Sequence, residues 1–194
     1  MAKDRSALFL ELIEQALKSN DAHNSVITAW QLFESKRNEF TQKEGEMNRN
    51  ANGRFLELIV QKLLVKNGIV PFYIGAEVAL VPDVDFDIII YTKECGPICL
   101  SIKTSLRERY KQANLEAIAL KQVHRKSKTF LLTIEPNESK KLAQKIKDGI
   151  VVGIDDVIDC KTDALDELLL ILKQFTPCEA GTIDIIKNGK LINK

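Results

Sequence analysis

Three observations on this 194-residue chain predict an α/β fold, with a mixed β-sheet flanked by helices. Short β-rich runs alternate with helical segments through its second half, an order that builds a sheet layered by helices. Two of those runs, 84–91 and 98–103, are joined by the polar turn "TKECGP" and predict a hairpin. Apolar residues make up 45% and charged residues 28%, enough for one ordinary buried core.

The elements follow in chain order. Residues 6–18 predict a helix with Leu8, Leu12 and Ile13 near one face, and 25–40 a second around Val26, Ile27, Trp30, Leu32 and Phe33. The Gly/Asn-rich stretch 41–53 predicts a connector. Residues 52–68 predict a third helix, with Asn52 as a cap and Asn67-Gly68 as a stop. Its apolar residues lie nearly all round, so it is mostly buried. Glu57 then stands among Leu56, Leu58, Val60 and Leu64, where a carboxylate needs a partner or a task. After the hairpin come a helix (105–123), a strand (128–134), a helix ending at Gly149 (137–149), a strand (150–154) and a helix (162–175). Asn188-Gly189 lies between alternating runs, a type I′ hairpin signal. The organisation expected is one domain, with a helical N-terminal region (1–45), a core (52–175) and a C-terminal hairpin (181–194).

Composition narrows the function. No apolar run reaches the roughly 18 residues of a membrane span. The opening residues 1–21 fit an amphipathic helix rather than a signal peptide, because acids interrupt the apolar stretch. Cys95, Cys99, Cys160 and Cys178 form no CxxC pair and have no neighbouring His, which argues against zinc and suits free thiols in a reducing cytoplasm. Net charge is only +1, and taken alone this argues against a nonspecific nucleic-acid coat. The distribution is less even. Between Lys103 and Lys128 stand eight Lys or Arg against two acids, Glu108 and Glu116.

The hairpin carries the chemistry. Side chains alternate along a strand, so Asp83, Asp85 and Asp87 share one face, as do Ser101 and Lys103 on the partner strand. A turn centred on 94–95 sets Lys103 opposite roughly residue 86 and brings Asp85 or Asp87 close to it. Aspartates beside a lysine can hold a divalent cation such as Mg²⁺ and orient a water. Such a pair suits in-line displacement at a phosphate, with the lysine stabilising charge. The same residues could equally form an ordinary hairpin with solvated acids and a salt-bridged lysine.

"PDVDFD" followed by "SIK" resembles the motif of the PD-(D/E)xK nucleases, except that Ser101 takes the acidic position. The departure is similar to that of type II restriction endonucleases of the EcoRII/SsoII/PspGI/NgoMIV-like branch. Their pattern looks like S-x-K-T-[ST]-x-[KR]-[DE]-R-[WY]-[RK]-Q, then Glu-Ala. This chain has Ser101, Lys103, Thr104, Ser105, Arg107, Glu108, Arg109, Tyr110, Lys111 and Gln112, then Glu116-Ala117. The likeness covers roughly residues 52–135. It implies a restriction-endonuclease-like sheet and a Mg²⁺-dependent endonuclease that cuts double-stranded DNA at a short palindrome containing CC…GG.

The resemblance also implies roles. Lys103 is catalytic, and Glu116 replaces the missing carboxylate as a metal ligand. Glu57, in "GRFLE", orients a water or a neighbouring group. The metal-binding aspartate is Asp83 on the literal "PD" and Asp85 or Asp87 on hairpin register, with register given more weight. Arg107, Glu108 and Arg109 read bases, since Arg matches guanine O6 and N7 and Glu accepts from cytosine N4. Lys111 and Arg125 contact the DNA backbone. A palindrome read by one helix per subunit implies a homodimer, and the region 1–45 is a candidate for dimerisation or DNA contact. Trp30 is expected in the core, and His124 at the surface or near a phosphate. Three rivals stand beside this reading: a repair or recombination nuclease of the same fold without sequence specificity, a DNA-binding module that has lost cleavage, and an α/β protein with no nucleic-acid role.

Overall fold

A computed structural model describes residues 5–41, 48–79, 81, 84–181, 186–187 and 189–193. Three helices come first: α1 (Arg5–Ala16), α2 (Ala22–Thr41) and α3 (Asn48–Lys66). A meander of β1 (Phe72–Val78), β2 (Asp85–Thr92) and β3 (Gly96–Ile102) leads into α4 (Arg109–Val123). Then follow β4 (Lys128–Thr133), α5 (Pro136–Lys147), β5 (Asp156–Asp159), α6 (Ala164–Leu172), β6 (Ile186–Lys187) and β7 (Lys190–Ile192).

The described strands form one mixed sheet in the order β5-β4-β3-β2-β1-β6, with β7 also on β1. The β1–β2–β3 meander is antiparallel, and β3, β4 and β5 run parallel. This is the predicted α/β class. One face carries the larger core, where Phe9, Phe33, Phe55 and Leu64 from α1–α3 meet Ile88, Ile98, Leu100 and Leu132 from the strands and Leu168 from α6. The other face is covered by α4 and α5, through Ala113, Ala117 and Leu142 against Leu131 and Val157. Trp30 is partly buried in the first core, 5.5 Å from the Phe33 ring and 6.1 Å from Phe55, as expected for a packing residue.

Several local expectations are corrected. The third helix begins at Asn48, so Asn52 lies inside it and residues 48–53 are not connector. Strand β1 was not anticipated. The helix expected from 105 starts at Arg109, because residues 106–109 first make a turn in which the Leu106 C=O accepts the Arg109 N–H at 2.6 Å. "IVVGI" (150–154) is not a strand. The Gly153 N–H donates to the Asn114 side chain at 2.8 Å, and a Cβ on Gly153 would come within 2.4 Å of the Asn114 carbonyl. The segment is therefore docked on α4, and pairing with β4 begins only at Asp156.

The C-terminal hairpin over 181–194 is also revised. β6 and β7 pair antiparallel with β1 in the same register, Ile186 with Val78 and Ile192 with Phe72. They are two stretches along one edge rather than two strands facing each other. Asn188 lies outside the described residues. Gly75, at φ +54, falls on β1 where the edge pairing is interrupted, a conformation that suits glycine.

The helices of the first face are tied at their ends. Asp166, in the first turn of α6, accepts the N–H groups of Ala22 (2.6 Å) and His23 (3.2 Å) at the start of α2. Its other contact is the His23 imidazole, Nδ1 to Oδ2 at 2.6 Å. That hydrogen bond raises the His23 pKa, against a smaller opposing effect of burial. Burial works against ionised Asp166, yet the donors from Ala22 and His23 bring its pKa below the usual range. The imidazolium contribution is complete below the unfolded His value of about 6.5 and is lost as pH rises through the raised folded value. Asp166→Ala should cost about 0.5–2 kcal/mol, as for loss of a helix cap. Urea unfolding at pH 6 and pH 8.5 should show the larger penalty at pH 6. An equal penalty at both values would mean that only the backbone N–H bonds matter.

Candidate active site

β2 and β3 pair from Thr92↔Gly96 back to Ile88↔Leu100. Beyond that point the strands part, because β3 continues its pairing with β4 and the Lys103 N–H donates to the Leu132 C=O at 2.9 Å. The Ile102 N–H loses its place in the β2 ladder, and the Asp87 carboxylate takes it. Asp87 Oδ2 accepts from Ile102 N–H at 2.6 Å and from the Lys103 ammonium at 2.9 Å. Continuing the register sets buried Ser101 across from Asp87. A serine there avoids placing a second carboxylate beside Asp87.

Lys103 faces a cleft of about 530 Å³ between α3 and the start of α4. Arg54, Glu57 and Gln61 line it from α3, Lys103 and Thr104 from the end of β3, and Arg109 from α4. Burial pushes the Glu57 carboxyl pKa up, and the Asp87 charge adds to that, while Lys103 and Arg54 oppose it. Glu57 and Asp87 are thus two carboxylates within electrostatic reach of each other and of Lys103. Arg54 was not singled out from the sequence, since an exposed arginine in the first turns of a helix carries no signal of its own. Neither the Arg54 nor the Arg109 guanidinium forms a hydrogen bond or ion pair with a described residue.

The other predicted residues are placed as follows. Asp85 is exposed at the head of β2 and pairs in register with Glu77. Asp83 lies outside the described residues. Glu116 is half-buried on α4, where its Oε1 accepts from Gln112 Nε2 at 2.8 Å, and it makes no bond to Asp87 or Lys103. Among the described residues no three His, Cys, Asp or Glu side chains converge as a closed metal cage. Arg107 lies in a second hollow with Tyr110, Glu138, Lys141 and Lys145, apart from the cleft that Arg109 lines. Glu108 is exposed and ion-paired with Lys111, which lowers the pKa of the acid and raises that of the lysine. Arg125 lies in a groove with Lys121, which pairs with Asp155 at 2.8 Å. His124 caps the end of α4 through its N–H to the Leu120 C=O, and burial lowers its pKa.

A mixed sheet flanked by helices opens at Asp87–Lys103 onto a cleft with a half-buried glutamate, and the fold is restriction-endonuclease-like. Residues 66–165 match the model of the BsaWI restriction endonuclease type 2 family, and the chain belongs to that family. It is a type II site-specific deoxyribonuclease, of a family that generally uses divalent metal ions. Among solved structures it is similar to "Restriction endonuclease PspGI-substrate DNA complex". That likeness has 18% identity and a TM-score of 0.51, and it covers 91% of this chain and 83% of the other. At that identity it shows the fold. No curated protein matches. No described helix is long and apolar enough to cross a membrane.

The raised Glu57 pKa has a stability consequence. This half-buried carboxyl holds its proton to higher pH than the unfolded chain does, so stability falls as pH rises from the ordinary Glu range through the raised value. In EDTA, Glu57→Gln should therefore raise Tm at neutral pH and leave it nearly unchanged near pH 4. Equal shifts at both pH values would show that packing, not charge, limits this position.

Proposed function

We propose that the cleft hydrolyses both strands of duplex DNA at a short palindrome containing CC…GG, with Mg²⁺ as the metal and a homodimer as the working unit. The observation that carries this reading is Asp87 Oδ2 bridging Ile102 N–H and Lys103 beside Glu57, immediately before the turn and helix that bear Arg107-Glu108-Arg109. The substrate DNA in the PspGI complex supports DNA as the ligand. The single-domain division, with 1–45 contributing to dimerisation or DNA contact, and a cytoplasmic setting with four free cysteines belong to the same proposal.

The donor set fits a hard divalent cation. Asp87 Oδ1 has no hydrogen-bond partner among the described residues, and the Asp87 and Glu57 charges repel. A cation that keeps several waters needs only one or two such carboxylates. Asp87 would hold it, with Glu57, Asp85 and Glu116 as the further acids drawn in with DNA. When bound, Mg²⁺ supplies charge neutralisation at the phosphate and a more acidic water.

The chain's own groups do the rest. Lys103, fixed by Asp87, presents its ammonium to the reacting phosphate and stabilises negative charge there. Glu57 accepts a proton from, or orients, the attacking water. Arg54 clamps a phosphate at the cleft wall. Arg107 and Arg109 donate to guanines and Glu108 accepts from cytosine. Lys111 and Arg125 contact phosphates. For Lys111 this means exchanging Glu108 for DNA.

Plasmid digestion with and without Mg²⁺ tests the reading. Discrete fragments whose sequenced ends carry CC…GG are expected, and a smear would favour the rival nuclease without sequence specificity. Asp87→Ala and Lys103→Ala should each abolish cleavage while binding in Ca²⁺ persists. Cleavage by Lys103→Ala at the wild-type rate would remove the lysine from the chemistry. Arg109→Ala should weaken binding to the cognate duplex about 5- to 150-fold, the range of one bidentate base contact, with little change on a scrambled duplex. The same loss on both duplexes would make Arg109 a phosphate contact of the cleft it lines.

A further inference from the structure

Arg107 has φ +26, a left-handed backbone that a residue with a Cβ adopts only when its surroundings force it. It is the one such non-glycine residue among those described. Three contacts hold it there. The Leu106 side chain is 2% exposed in the core formed with Ala113, Leu131 and Leu142. The Leu106 C=O closes the turn on Arg109 N–H at 2.6 Å. From outside the turn, Glu138 Oε2 accepts both the Leu106 N–H (2.6 Å) and the Arg107 N–H (3.3 Å).

Glu138 is 31 residues away from Arg107, in the first turn of α5. No feature of "PNESKK" marks it as part of a DNA site. Its helix is independently anchored, with Ser139 and Leu142 buried. The carboxylate thus ties a turn that must bend unfavourably to a rigid element on the same face of the sheet.

We infer that Glu138 is a positioning residue for DNA recognition, setting the backbone from which Arg107 and Glu108 reach the base edges. This rests on the assignment of Arg107 to base reading. A carboxylate binding two backbone N–H groups restricts the turn before DNA arrives, so less ordering is required on binding. Base contacts need a defined backbone, whereas phosphate contacts tolerate displacement. Loss of Glu138 should therefore lower discrimination more than nonspecific affinity.

The test is a binding titration in Ca²⁺, on a fluorescent duplex carrying the site recovered from the digest ends and on its scrambled control. Glu138→Ala should reduce the ratio of cognate to scrambled affinity about 5-fold or more, with scrambled affinity changed less than about 2-fold. Glu138→Gln, whose uncharged amide oxygen is a weaker acceptor for the two N–H groups, should lower the ratio by a smaller factor, about 2-fold. In an Arg107→Ala background, Glu138→Ala should have little further effect on it, as for residues acting through one contact. Thermal unfolding confirms that each variant is folded, and an unfolded Glu138→Ala leaves the decision to Glu138→Gln alone and combined with Arg107→Ala. For that pair, a reduced ratio that vanishes as a separate effect with Arg107→Ala supports the link, and an unchanged ratio overturns it. Discrimination lost in Arg107→Ala but kept in Glu138→Ala overturns the Glu138 link alone. Discrimination kept in Arg107→Ala overturns the base-reading assignment and the inference with it.

Discussion

One carboxylate oxygen organises this molecule. Asp87 Oδ2 sits where β3 leaves β2 to continue along β4, and it accepts both the stranded Ile102 N–H and the Lys103 ammonium. A backbone donor at a parting of strands must find an acceptor or lose stability. Here the acceptor also carries the charge that fixes the lysine. The position of the lysine and the completion of the sheet rest on the same pair of bonds, so neither can be altered without the other.

The cleft in front of this junction inherits its electrostatics from burial. Glu57 enters on α3, a helix held by Leu56, Ile59, Leu63 and Leu64 in the main core. The helix cannot turn its glutamate towards bulk water without losing that burial. The carboxyl pKa rises from desolvation and from the neighbouring Asp87 charge, and Lys103 and Arg54 temper the rise. Opposed charges held in a confined cleft suit the proposed phosphate-ester substrate, with cations to meet its negative charge and acids available to a metal and a water.

The segment after Lys103 is divided by the fold. Arg109 lines the cleft, Arg107 lies in a separate hollow, and Glu108 points outward to Lys111. The turn at 106–109 causes this division, since a continuous helix would have advanced the three side chains by about 100° each around one axis. Lys103 and the proposed reading residues are thereby joined through a few residues of fixed backbone. Changes in the turn are transmitted directly to both.

The sequence by itself determined the α/β class, the β2–β3 hairpin, the proximity of Lys103 to an aspartate, and the family. Alternating apolar runs and the S-x-K spacing are local, and local patterns survive without knowledge of the rest of the chain. Which aspartate meets Lys103 was not local. Register alone would carry Lys103 opposite Asp85, and the departure of β3 towards β4 instead leaves its ammonium on Asp87 among the described residues. Residues 150–154 were misread because their apolar pattern suits a strand, while the N–H of Gly153 is taken by Asn114 on α4. The tail was misread because Asn-Gly suggests a turn, whereas the open edge of β1 offers both flanking segments the same partner. Arg54 and Glu138 left no signal at all. Each acquires its place only when helices distant in sequence are brought against the end of β3, and long-range packing alone makes that contact.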